Sequence, residues 1–131
     1  MNLSGYSKKL GEGPDAGPGG VIIERTRTYL QEAGLKENVV YFDEPNLVVY
    51  ATTAYGLFVV SSDENQRYAA QLTPWQDVTG CSLRIGLTPE STRSITVTIK
   101  APDATLTERV GEPAAPLLDL FRECVKRSRP W

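Results

Sequence analysis

The chain has no histidine among its 131 residues, so it lacks the commonest general base, the commonest metal ligand and the side chain that titrates nearest neutrality. It has only two cysteines, Cys81 and Cys124. They are too few for a disulfide framework and too far apart for a local zinc hook. Each falls on an apolar stripe, which reads as two buried reduced thiols; a bridge between them requires the last helix to pack over the strand carrying Cys81. A long apolar run is missing too. Residues 46–62 carry no charge over seventeen residues, but Thr52, Thr53 and Gly56 break the stretch. It falls short of the roughly 20 apolar residues of a membrane span. The opening Met1-Asn2-Leu3-Ser4-Gly5 has no apolar centre of the kind a secretory signal carries. A soluble, cytoplasmic protein is expected. Fourteen basic against sixteen acidic residues leave a formal charge of −2, which argues against binding driven by nonspecific attraction to nucleic acid or anionic lipid.

What is present begins with glycine. Residues 1–20 hold six of the eleven glycines and two prolines, and they read as a flexible tail that cannot bury enough surface to offset its ordering entropy. Gly-Pro-Gly-Gly there is not a phosphate loop, since no lysine and serine or threonine follow in the required order. Residues 21–131 read as a single globular domain. A helix is predicted over 21–34, with Ile22, Tyr29, Leu30 and Ala33 at helical spacing and Gly34 placed to end it as a left-handed cap followed by Leu35.

Strands follow over 38–110. Val39 to Phe42 is bounded by the turn cluster Asp43-Glu44-Pro45-Asn46. Leu47 to Ala51 and Leu57 to Ser61 form a hairpin around Thr52 to Gly56, with the glycine available for positive φ. Arg67 to Leu72 is more polar, and Pro74 ends it. Cys81, Leu83, Ile85 and Leu87 alternate with polar or small residues, as do Ile95, Val97 and Ile99; each strand is expected to set one face on a core and one in water. Ala104 to Val110 adds another strand, with Thr105 and Thr107 facing threonines across the turn. A second amphipathic helix is predicted over 114–128, carried by Leu117, Leu118, Phe121, Cys124 and Val125. The order is helix, seven strands, helix.

That order resembles the pleckstrin-homology-like fold. Tyr50-Ala51-Thr52-Thr53-Ala54-Tyr55-Gly56-Leu57-Phe58-Val59-Val60 is similar to the second-to-third-strand hairpin of its bacterial version. Leu72-Thr73-Pro74-Trp75-Gln76-Asp77-Val78-Thr79-Gly80-Cys81-Ser82-Leu83 is similar to its crossing into the second sheet. The resemblance covers about residues 38–127. It implies a mainly β, α+β chain: a seven-stranded antiparallel barrel or sandwich with a C-terminal capping helix, here with an extra N-terminal helix. Trp75 and Asp77 are expected to form a structural corner, the ring sealing a seam and the carboxylate capping the turn.

The functional reading is eliminative. Asp43-Glu44 and Asp63-Glu64 sit in turns, where acids are usually solvated, and Cys81 has no basic neighbour in sequence, so no catalytic residue, cofactor or metal is expected. From Glu37 to Gln66 there are five acids and no lysine or arginine, which disfavours a phosphoinositide where lipid-binding members of the family hold one. Nucleic-acid binding lacks its basic face. A noncatalytic protein–protein interaction or assembly module remains, binding a protein partner or itself through sheet edges and the last helix's groove. Candidate contact residues are Tyr55 at a hairpin tip, Trp131 at the chain end, and the cations Arg122, Lys126, Arg127 and Arg129. The alternatives are a small acidic secretion chaperone or adaptor, which calls for a mid-chain helix of two or more turns, and a peripheral membrane protein using the basic cluster.

Overall fold

The structure is a computed structural model that describes Leu3 and residues 17–62, 65, 67–87, 89, 93–101, 105–110 and 115–128. Helix α1 spans Gly17–Ala33; strands β1 (Val40–Asp43), β2 (Val48–Thr52), β3 (Gly56–Ser62) and β4 (Tyr68–Pro74) follow. A 3-10 turn, Trp75–Asp77, leads to β5 (Gly80–Leu87), β6 (Arg93–Lys100), β7 (Thr105–Val110) and helix α2 (Ala115–Arg127). The strands hydrogen-bond as two antiparallel sheets, ordered β1-β2-β3-β4 and β5-β6-β7, so the fold is α+β. Of the expected barrel or sandwich, the closed barrel is not formed: among the described residues no pairing joins one sheet to the other. Pro74 cannot donate to a ladder, and the tight turn after it takes the chain out of β4. The chain divides into two compact units, Met1–Leu72 and Thr73–Trp131.

In the first unit α1 lies against β2 and β3. Ile22, Ile23, Thr26 and Leu30, spaced along one face of the helix, are buried. They share a core with Val40 and Phe42 of β1, Val49 and Ala51 of β2, and Phe58 and Val60 of β3. The register explains why: Val40 stands opposite Ala51, Phe42 opposite Val49, Ala51 opposite Phe58 and Val49 opposite Val60, so all six point to one face. Each buried side chain of this size stabilises the unit by about 1.5–3 kcal/mol relative to exposure. On the other face Tyr41 and Tyr50 pair directly and stack, with ring centroids 6.1 Å apart. Arg25 of α1 lies over the Tyr68 ring at 5.5 Å, a cation–π contact between the helix and β4.

The end of α1 follows its sequence signal closely. Gly34 has φ +69°, its N–H donates to Gln31 O at 3.1 Å, and the Leu35 N–H donates to Leu30 O at 2.9 Å. Those two bonds define a Schellman motif. The start differs from expectation. The helix begins at Gly17 rather than at residue 21, with Gly19 and Gly20 buried, and Leu3 is buried in the core. Residues 17–20 of the expected tail are therefore helical: Pro18 fits a first helical position, and glycines without side chains allow close packing. The rest of that tail, residues 1–2 and 4–16, lies outside the described residues.

In the second unit α2 contacts β5 and β6. Ile95, Val97 and Ile99 of β6 are buried, as the alternation requires, together with Leu117, Leu120 and Cys124 of α2. The buried stripe of α2 thus includes Leu120, while Leu118, Phe121 and Val125 are half-buried along its flanks. Thr107 of β7 stands opposite Thr98 as expected, whereas Thr105 stands opposite Lys100. β5 departs most from expectation. Its apolar residues Leu83, Ile85 and Leu87 are 37%, 53% and 75% exposed, although Leu83 and Ile85 share a face with the buried Val97 and Ile95 opposite them. Among the described residues β5 is an edge strand with a neighbour on one side only, and edge residues lose the cover that β6 receives from strands on both sides.

Candidate functional site

The two turns flanking β2 are both built by short side chains acting on backbone. After β1, the buried carboxylate of Asp43 accepts from the Asn46 N–H at 3.3 Å and from Asn46 Nδ2 at 2.8 Å. The Leu47 N–H closes the turn on Glu44 O at 3.2 Å, and Leu47 takes φ +52°, a left-handed conformation uncommon outside glycine. Asp43 is therefore engaged in holding its turn, with Glu44 exposed beside it.

The β2–β3 turn is organised by Thr53, which is fully buried. Its hydroxyl donates to Gly56 O at 2.9 Å and accepts from the N–H groups of Gly56 at 3.1 Å and Tyr55 at 3.2 Å. The Thr53 N–H also donates to Gly56 O at 3.0 Å. Gly56 was expected to supply a positive φ; among the described residues only Gly17 and Gly34 are glycines of that kind. The hydroxyl, not the glycine, shapes this turn. Its tip holds Tyr55, 68% exposed and the most projecting aromatic among the described residues.

At the corner, Trp75 is buried and the Val78 N–H closes the 3-10 turn on Trp75 O at 3.1 Å. Asp77 does not cap it: among the described residues its carboxylate makes no hydrogen bond to the turn, and backbone pairing satisfies the donor instead. The expected basic cluster is partly neutralised. Arg122 pairs with Asp119 at 2.8 Å and Arg127 with Glu123, each within one helical turn, and Lys126 is exposed. Surface pairs of this kind contribute about 0–1 kcal/mol, yet they reduce the field offered to an anion. Arg129 and Trp131 lie outside the described residues, as do Asp63 and Glu64.

Both cysteines are free thiols. Cys124 is buried, and burial pushes its thiol well above the ordinary range, with Cys81 and Glu123 acting the same way. Cys81 is half-buried; burial raises its thiol too, partly offset by the Ser128 hydroxyl 3.7 Å from its sulfur. Neither is an activated nucleophile. Because the folded thiol of Cys124 titrates above its unfolded counterpart, its stabilising effect is complete below the ordinary thiol range and is lost as pH rises. The urea midpoint is therefore expected to fall between about pH 8 and 10, with a flatter profile in Cys124→Ala. Iodoacetamide at pH 8 should modify Cys81 well before Cys124, read by peptide mass spectrometry; equal rates would show that α2 does not shield Cys124.

The remaining surface feature is β5 itself. Beside the apolar row Leu83, Ile85 and Leu87, its other face carries Arg84 and Gly86, opposite Thr96 and Ser94 of β6. An open cleft of about 350 Å³ lies there, lined by Arg84, Gly86, Leu87, Ser94 and Thr96. A Cβ placed on Gly86 would meet nothing within 4 Å. Among the described residues Arg84 has no ion-pair partner. Sequence reasoning put Leu83, Ile85 and Leu87 inside; no neighbouring residue marks them otherwise, since Leu83 and Ile85 stand opposite the buried Val97 and Ile95 of β6. Among the described residues no three acidic or cysteine side chains are grouped as a metal site needs, and no helix is long and apolar enough to cross a membrane. No protein-family model, no curated protein and no solved structure matches this chain.

Proposed function

We propose that the chain is a noncatalytic protein–protein interaction or assembly module, built as a seven-stranded sandwich of pleckstrin-homology-like type and working in the cytoplasm. The observation that carries the reading is the edge strand β5, whose Leu83, Ile85 and Leu87 face solvent. Exposed apolar rows on an unpaired edge are costly in isolation and favour an added strand from another polypeptide. Tyr55, held out on a turn stiffened by Thr53, is a second anchor of the type enriched at interfaces.

The alternatives have less behind them. A secretion chaperone calls for a mid-chain helix of two or more turns, and between β4 and β5 there is only the three-residue turn Trp75–Asp77. Headgroup binding is disfavoured in the first unit by the acidic β1–β2 turn, and in the second by the ion pairs that engage Arg122 and Arg127.

The test is affinity capture from the native host with the full chain, beside Ile85→Lys and Tyr55→Ala. Stoichiometric recovery of one polypeptide, reduced at least tenfold by Ile85→Lys, is the expected result. A copurifying nucleotide or metabolite, or headgroup-dependent flotation with liposomes, would overturn the reading.

A further inference from the structure

We infer that the partner of β5 is β5 of a second copy of this chain, paired antiparallel about a two-fold axis through Ile85. The inference rests on the interaction-module reading above and commits it to an occupant. β5 has a single neighbour, β6, among the described residues, so one row of its backbone donors and acceptors is open to a strand. In an antiparallel pair, residues directly opposite each other share a face. A two-fold axis at Ile85 therefore sets Ile85 against Ile85, and Leu83 of each copy against Leu87 of the other, covering the three apolar residues that stand 37%, 53% and 75% exposed.

The opposite face selects the register. Arg84 is the only charged residue of β5. An axis at Arg84 would place the two guanidinium groups directly opposite, which is unfavourable. An axis at Ile85 places Arg84 of each copy opposite Gly86 of the other, where nothing stands within 4 Å of a Cβ and the 350 Å³ cleft accepts the long side chain. An axis between residues sets the apolar row against the polar one and leaves it uncovered. The register centred on Ile85 covers all three apolar residues with one another and keeps the guanidinium groups apart, as an isologous contact requires.

The paired segment, residues 83–87, is about 17 Å long, and such a strip falls short of the roughly 800 Å² per partner of a standard stable interface. A dimer that dissociates on dilution is expected, rather than an obligate one.

Sedimentation velocity of the full chain over a hundredfold concentration range should show monomer passing to dimer. Ile85→Lys, which places two ammonium groups face to face, should remove the dimer across that range with an unchanged circular dichroism spectrum. Gln31→Ala, at an exposed position of α1, should leave it intact. Should Ile85→Lys fail to fold, Ile85→Cys in a Cys81→Ser background reads the register directly. Mild diamide treatment should give a disulfide-linked dimer on a non-reducing gel, at least fivefold more than Leu83→Cys gives. A chain monomeric throughout, or a dimer indifferent to Ile85→Lys, would overturn self-pairing. A monomer that still captures another polypeptide overturns self-pairing alone and leaves the module reading standing.

Discussion

Phe58→Ala is expected to destabilise the first unit by about 3–5 kcal/mol, the range for truncating a buried aromatic side chain. The ring is 5% exposed and sits on the helix-facing side of β3, directly opposite the small Ala51. Val49 and Val60 hold the neighbouring positions on that face, and α1 covers it with Ile22, Ile23 and Leu30. β-branched neighbours have little rotamer freedom with which to fill the space a lost ring leaves. A unit of this size is stabilised by little more than that cost, so much of the chain should unfold there at room temperature. Urea denaturation followed by far-ultraviolet circular dichroism measures it. A cost below about 1 kcal/mol would mean that β3 does not present this face to the helix.

Thr53→Val is expected to cost about 1–3 kcal/mol although it preserves shape almost atom for atom. The methyl that replaces the hydroxyl cannot accept from the N–H groups of Tyr55 and Gly56 or donate to Gly56 O. The turn is buried at Thr53, so water does not readily take over those bonds. Thr53→Ser keeps the hydroxyl and should recover most of the stability. Its hydrogen-exchange protection at Tyr55 and Gly56 should stay close to that of the parent chain, while Thr53→Val should lose protection at both. Equal stability of the valine and serine variants would show that backbone pairing alone sustains the turn.

Much of the local structure was legible because the chain signals it within a few residues. Gly34 followed by Leu35 gave the end of α1 with both bonds of its cap. Asp43 to Asn46 gave the first turn, and the alternation through Ile95, Val97 and Ile99 gave the buried face of β6. What was not legible depends on parts distant in sequence. Nothing near Leu3 announces that it joins the core of α1 and the first sheet. Leu47 adopts a left-handed backbone because its side chain packs against that core while the Asp43 carboxylate fixes the turn before it. The alternation in β5 is as regular as that in β6, yet period two says only that two faces differ. Which one is covered depends on strand order, and strand order is a property of the whole sheet. Asp77 was misread for a related reason: a turn aspartate is a common cap, but here the backbone closes the turn unaided.

Strand order also bears on how the chain reaches this state. In both sheets each strand pairs with its successor, so no ladder waits for a distant segment to arrive. Low contact order of this kind shortens the search, and individual hairpins close in about 1–10 μs. In the first unit α1 docks onto β2 and β3, so the helix must wait until the chain following it has been laid down as a surface. During synthesis that surface is complete only once β3 has left the ribosome, and until then Ile22, Ile23 and Leu30 remain available to chaperones.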